Sequence, residues 1–560
     1  MNTSLPISTT NDSGFLDPSP PPFFPPALAS QPQLPPFFPP ASVPLLGALP
    51  VPSAPPMLPP LSEREVIPAN NRIGGLKYLE AIESLKAAVG RYDDAQGKGH
   101  STNRIRQEIS VSDCPNERKF LRSLLVVLEE LATPSSTDVR SRNEKIIAHM
   151  RGALTSPFYN QHKTSGANAN CLLLQQLCTS KFTKVHGFFI FRDLVSKAAV
   201  SASPQVLWGL GTIDKHTVGA VTRAINNSLV SATSDFTKNP VFLAKQKLQG
   251  HFGVNNDPGG TSNVPYLRSR FRIEDGVAER TIEFCRFGTP TIQGFRQPTV
   301  IDPLLFGLLD AMQTKGEDFF YVNLQKFSGN EGSRAEAIRA VEQQYPNFHF
   351  LSIPLDGPIT IEIRRGCSIE LFKGFIVRSY ERGENGCVLP RRANISKEEL
   401  VTVLNYVHSC WFGDKANMTT RDLEAFWGIF SASLQDLVVK KLPRIHAMNT
   451  SCKDNKDRGG TIGTIDEAVR NVLLNRHNDP VRLSEIVYNA LAPYMIKLEH
   501  ILDNPNEPDH HRLGFLISVL DHIATLSDEQ IVRIQQLHQE LFFRVMGQIV
   551  PRDSRVMAFS

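Results

Sequence analysis

Proline decides where this chain can build a core and where it cannot. Half of the 40 prolines in the 560-residue sequence fall before residue 70, and the hexamer Pro-Pro-Phe-Phe-Pro-Pro occurs there twice, at Pro21 to Pro26 and at Pro35 to Pro40. Each proline removes a backbone donor and favours extended polyproline II geometry. Residues 1–68 are therefore expected to form a disordered proline-rich arm. Such an arm serves either as a tether or as a ligand for domains whose aromatic-lined grooves grip proline-rich peptides.

The rest of the chain is longer than one hydrophobic core usually organises, which predicts more than one folded unit. Apolar residues recur at spacings of three and four through stretches such as Tyr78 to Lys86 and Phe120 to Leu128, so residues 69–262 read as an α-rich domain. Between 263 and 480 short β-type runs alternate with helical ones. Phe319 to Leu324, Phe348 to Ile353 and Ile359 to Ile363 read as strands, and Gly332 to Gln344 reads as a helix between the first two. That alternation predicts an α/β layer structure. Residues 481–560 read as a helical C-terminal part, through Ser484 to Leu502, His511 to Leu526 and Asp528 to Met546.

A net charge of +4 gives no general pull toward nucleic acid, and none is expected as a partner. The eight cysteines are scattered without a CxxC pair, which fits a reducing compartment and no zinc site. No run of about 18 apolar residues and no apolar leader core appear, so the expectation is a soluble, cytoplasmic chain without a membrane span or Sec-type signal.

The segment that carries chemistry is Cys452-Lys453-Asp454-Asn455-Lys456-Asp457-Arg458, followed by Gly459 and Gly460. Arg444 to Asn449 before it reads as a short strand, and the chain is helical again by Asp466. A tight loop between strand and helix turns backbone N–H groups inward and adds the positive end of the helix dipole, which together cradle an anion. Lysine, arginine and a helix N-terminus each favour a thiolate at Cys452. The planar guanidinium of Arg458 suits bidentate contact with phosphate oxygens. A bare C-x5-R pattern is weak, since about half a match is expected by chance at this cysteine and arginine content. Its added lysines, the aspartate before the arginine and the glycines after it make this example more specific.

In these residues the loop resembles the C-K-x-x-K-D-R loop of inositol-polyphosphate and phosphoinositide phosphatases of the cysteine-based superfamily, including those that bacterial pathogens inject into host cells. Asp454 adds a likeness to Sac-type phosphoinositide phosphatases, whose loop reads C-x-D-x-x-D-R. The resemblance spans about seven residues. It implies an α/β catalytic domain of cysteine-phosphatase type, no cofactor, a phosphocysteine intermediate on Cys452 and phosphate binding by Arg458. It further implies contacts from Lys453 and Lys456 to additional ring phosphates, with Asn455, Asp457, Gly459 and Gly460 completing the cradle. The partner implied is a phosphorylated inositol lipid or a soluble inositol polyphosphate, met in the cytosol of the producing cell or of a host.

Two aspartates compete for the role of general acid. Asp454 lies within the loop at the Sac-type position. Asp356, in Ile353-Pro354-Leu355-Asp356-Gly357 after an expected strand, resembles the acid loop of tyrosine phosphatases, but it ranks behind Asp454, and an ordinary turn aspartate accounts for it better. Family members carry Thr or Ser directly after the arginine, where a hydroxyl helps the thiolate leave; here that position is Gly459, with Thr461 and Thr464 nearby. A chain lacking that hydroxyl would turn over slowly, so the alternative is a pseudophosphatase or adaptor that recruits partners through its proline-rich arm. A protein-tyrosine phosphatase is disfavoured by the two loop lysines. An EF-hand reading of 455–466 fails on its ligands, with Asn455 first, Gly459 fifth and Asp466 twelfth. Arg268, Arg270 and Arg272 alternate along one expected strand, either as a solvated edge or as a patch facing an anionic membrane surface.

Overall fold

The computed structural model describes residues 73–96, 100–133, 139–164, 168–183, 266–276, 278–292, 299–452, 455, 458–479, 482, 486 and 508–549. All belong to the compact unit Val66–Ser560. The proline-rich arm, the expected helix Ser484 to Leu502, and the loop residues Lys453, Asp454, Lys456 and Asp457 lie outside the described residues.

Helices come first: α1 (Ile73–Gln96), α2 (Ser101–Val111), α3 (Pro115–Ala132), α4 (Val139–Leu154), α5 (Pro157–His162) and α6 (Ala169–Thr183). Strands β1 (Tyr266–Glu274) and β2 (Glu279–Arg286) follow, then the short pair β3 (Thr291–Ile292) and β4 (Val300–Ile301), then α7 (Pro303–Lys315). Alternation sets in with β5 (Asp318–Asn323), α8 (Gly329–Gln344) and β6 (Phe348–Ser352). A helical stretch, α9 (Pro358–Arg365), α10 (Ile369–Arg382), α11 (Lys397–Tyr406) and α12 (Thr420–Lys441), leads to β7 (Ile445–Ser451) and α13 (Arg458–Leu473). The chain closes with α14 (Pro508–Ala524), α15 (Asp528–Leu541) and β8 (Arg544–Ile549).

Six strands form one mixed sheet in the order β6-β5-β7-β2-β1-β8. The run β6, β5, β7 and β2 is parallel throughout, while β1 is antiparallel to both β2 and β8. Parallel strands need cover on both faces, and the sequence of β5 supplies it. Phe319 and Tyr321 pack with Phe348 and Phe350 into a cluster shared with the helices before the sheet and with α7, whereas Phe320 and Val322 join Leu351 and Met448 on the other side. There α12, α13, α14 and α15 complete the core, with Trp427 fully buried.

Two expected elements differ from what forms. Ile359 to Ile363 is helical, within α9, because Pro358 takes a first-turn position and Ile359 and Ile363, four apart, bury one face. The final expected helix stops at Leu541, and Arg544–Ile549 pairs with β1 as an edge strand. That pairing makes β1 an interior strand. Arg268, Arg270 and Arg272 then meet Glu467, Glu283 and Glu279 at 2.6, 3.1 and 3.3 Å, so the three form ion pairs and not a solvated edge.

α13 is buried along nearly its whole length and carries charge into the core. Arg470 binds Asp436 of α12 at 2.7 Å and Asp466 at 3.1 Å, and its guanidinium stacks over Phe271 and Phe284. His538 of α15 reaches the second Asp436 oxygen at 2.9 Å. Burial alone would raise Asp436, but Arg470 and His538 outweigh it and hold the carboxyl below its usual range. Removing one member of such a network strands the others without water. Arg470→Met is expected to cost about 3–5 kcal/mol of stability, seen as a lower urea midpoint at unchanged slope. A midpoint equal to wild type would show that the network contributes nothing.

Candidate active site

β7 is an interior strand, and its carboxyl end opens into the crevice where ligands collect in α/β sheets. Cys452 follows directly and is 1 % exposed. The chain re-enters regular structure at Arg458, the first residue of α13. Between them Asn455 turns the loop with φ of +51°, a left-handed conformation that asparagine tolerates better than most residues. Its N–H donates to the Cys452 carbonyl at 3.2 Å.

The loop rests on the end of β2. Arg286 donates to the Asn455 carbonyl through Nη2 at 2.7 Å and Nε at 3.2 Å. The Phe287 carbonyl accepts from Asn455 Nδ2 at 2.9 Å, Ser451 Oγ at 2.9 Å and Asn449 Nδ2 at 3.1 Å, while the Phe287 N–H donates to Asn449 Oδ1. The ends of β5 and β6 are tied alongside: Asn323 Nδ2 donates to Ser352 Oγ and to the Gln325 carbonyl, and Gln325 Nε2 reaches Thr289 Oγ1. Beneath the loop, burial pushes the Tyr321 phenol up to about 12 against the opposing hydroxyls of Ser451 and Thr289.

Arg458, 4 % exposed, is held by its Nη atoms. Nη1 donates to Glu331 Oε2 at 2.8 Å and to the Leu324 carbonyl at 3.3 Å, and Nη2 donates to Glu331 Oε1. Asp356 Oδ2 lies 3.4 Å from Nη1. Asp356 comes from the loop after β6, just before Gly357, whose φ of +93° swings the chain into α9. Glu331 comes from the first turn of α8, after β5, and also accepts the Lys326 N–H.

Of the residues singled out from sequence, the fold thus brings Arg458 and Asp356 together beside the loop that Cys452 opens. Lys453, Asp454, Lys456 and Asp457 lie outside the described residues. Glu331 and Asn449 were not picked out from sequence for these contacts, whereas the turn Arg286 to Pro290 reads in sequence as a buttress of the site, and Arg286 does donate to the Asn455 carbonyl. An acid one turn into a helix after a buried strand is the only trace Glu331 leaves in sequence, and that pattern is common.

Gly459 has a packing reason. A Cβ there would overlap Asn455 Oδ1 and lie 3.1 Å from the Thr450 carbonyl. The first turn of α13 can close against the Asn455 amide only without a side chain, which is why the hydroxyl expected after the arginine is missing. Of the two replacements considered, Thr464 donates to the Gly460 carbonyl at 2.7 Å, whereas the Thr461 hydroxyl is buried with no hydrogen-bond partner among the described residues.

Comparisons with protein-family models, with curated proteins and with solved structures find no match to this chain. No helix among the described residues is long and apolar enough to cross a membrane.

Gly459→Ser is expected to destabilise by about 1–3 kcal/mol through overpacking. In an Asn455→Gly background, which removes the obstructing amide and keeps the left-handed turn, the same change should cost less than about 0.5 kcal/mol. Equal costs in both backgrounds, measured by urea unfolding, would show that Asn455 is not what excludes a side chain at 459.

Proposed function

We propose that the protein is a cysteine-dependent phosphatase acting on phosphate monoesters of inositol compounds, lipid-borne or soluble. The observation that carries this reading is the meeting of Arg458 and Asp356 at 3.4 Å beyond the carboxyl ends of β7 and β6, two parallel strands that flank β5, with Cys452 opening the loop that leads to Arg458. About a hundred residues separate Asp356 from the loop in sequence.

In the proposed reaction the Cys452 thiolate attacks phosphorus and the bond to the ester oxygen breaks. The Asp356 carboxyl gives its proton to the departing alkoxide. Arg458 and the start of α13 stabilise charge on the equatorial phosphate oxygens. Water then attacks the phosphocysteine, its proton passes to the Asp356 carboxylate, and the sulfur–phosphorus bond breaks to release phosphate and thiolate. Thr461 supplies the hydroxyl that eases departure of that thiolate. Lys453 and Lys456 would take additional ring phosphates, which is why inositol polyphosphates are preferred over monophosphorylated proteins.

The test is phosphate release from phosphoinositides, inositol polyphosphates and phosphotyrosine peptides by the full chain. Cys452→Ser should abolish release. Asp356→Asn should lower turnover of alcohol esters by about 10²–10⁴-fold and affect a nitrophenyl phosphate far less, because that leaving group needs no proton. Thr461→Val should preserve the first-turnover burst and slow the later turnovers. An Asp356→Asn enzyme with undiminished turnover of inositol substrates removes Asp356 from the mechanism. No release from any substrate by wild type leaves the anion-binding pseudophosphatase.

A further inference from the structure

Far along the chain from the loop, a groove of about 490 Å³ runs beside the first turns of α3. Arg118, Lys119, Arg122 and Ser123 of α3 line it with His149 of α4, and no acidic residue among the described residues does. Among the described residues, none of these four basic side chains takes part in an ion pair or a side-chain hydrogen bond. Several other cations of this helical region are paired: Arg106 with Glu129, Lys145 with Glu130 and Arg151 with Asp302. The acids of α3 are committed elsewhere: Glu117 accepts from Ser112 Oγ, and Glu129 and Glu130 take the two partners just named.

Three cations on two successive turns repel one another. Arg118 and Arg122 stand four apart and Lys119 and Arg122 three apart, spacings at which like charges weaken a helix. Folding alone gives no reason for that arrangement. The groove also flanks the helix start at Pro115, where Cys114 provides no side-chain cap and the dipole adds positive potential. The groove is open to solvent, and its volume is comparable to that of a small ligand.

We propose that this groove binds a small ligand carrying several clustered phosphate groups, either free in solution or as the headgroup of a lipid. Two arginines provide forked donors for phosphate oxygens, Lys119 a mobile point charge, and Ser123 of the same helix and His149 of α4 further hydrogen bonds. The assignment does not depend on the phosphatase reading, since it uses no residue of the Cys452 loop.

The experiment titrates the full chain with inositol hexakisphosphate by calorimetry, and in parallel measures sedimentation with vesicles containing a phosphatidylinositol bisphosphate. Arg118→Gln, Lys119→Gln and Arg122→Gln, singly and combined, are compared with wild type and with Arg106→Gln as a control of equal charge change. Each single change in the groove should weaken one class of site at least about tenfold, and the triple variant should lose that class while Arg106→Gln leaves it intact. Affinity for the soluble compound identifies a free ligand, and affinity for vesicles alone identifies the lipid headgroup. Phosphate release, where present, should persist in the triple variant, which separates failure here from failure of the catalytic reading. Unchanged binding in a folded triple variant, an equal effect of Arg106→Gln, or tighter binding of a short oligonucleotide than of either phosphorylated inositol would overturn the proposal. The variants sit on a helix surface, and unfolding midpoints equal to wild type establish that they fold.

Discussion

One backbone carbonyl organises the candidate site. Phe287 O, just past the end of β2, collects hydrogen bonds from Asn449 and Ser451 of β7 and from Asn455 of the loop beyond it. All three donors are almost completely buried. An unmade bond in such a place costs a full desolvation penalty, so the end of β2, the end of β7 and the turn at Asn455 form together or not at all. Arg286 reinforces the same junction by donating to the Asn455 carbonyl. Asn455 is thereby fixed to the sheet as well as to the Cys452 carbonyl before it.

Fixing Asn455 has a consequence at Gly459. The amide that reaches Phe287 fills the space a side chain at 459 would need, and the helix keeps its close approach only because glycine is there. Gly463, one turn on, repeats the pattern: a Cβ would overlap Arg268, whose guanidinium lies across α13 to reach Glu467. Arg268 therefore belongs to the packing of α13. A row of guanidinium groups read as lying on an edge strand sits on an interior one, because β8, hidden in sequence within an apparently helical tail, pairs with β1; Arg268 is buried, while Arg272 stays half exposed.

Much of the sheet was legible for a simple reason. β5 and β6 are aromatic-rich, mostly apolar runs of strand length, and a strand buried on both faces needs no partner information to be recognised. The start of α12 is likewise local, since Thr419 and Asp422 form a capping box. Ile359 to Ile363 misled because three isoleucines at alternate positions satisfy a strand pattern, while the decision rested on Pro358 and on burial of only Ile359 and Ile363. In the site, Cys452 and Arg458 were visible because their spacing is fixed by one loop. Asp356 was one of two choices, and Glu331 was not visible at all, since its contact with Arg458 depends on where the ends of β5, β6 and β7 converge and not on any local pattern.

α13 presents an electrostatic problem whose solution bears on function. Its last turn carries Arg470, a cation where the helix dipole favours one, held by Asp436 and Asp466. Its first residue, Arg458, is a cation where the dipole disfavours one, and it is buried as well. Such a charge stays in place only if anions are supplied, and Glu331 and Asp356 supply them from the ends of two neighbouring strands. The position in front of Arg458 is therefore an anion position by construction, whatever occupies it. A phosphate arriving there replaces or joins a carboxylate of similar donor requirement instead of having to create a binding site, and the residue it would meet next to the arginine is the one acid, Asp356, that the proposed reaction needs.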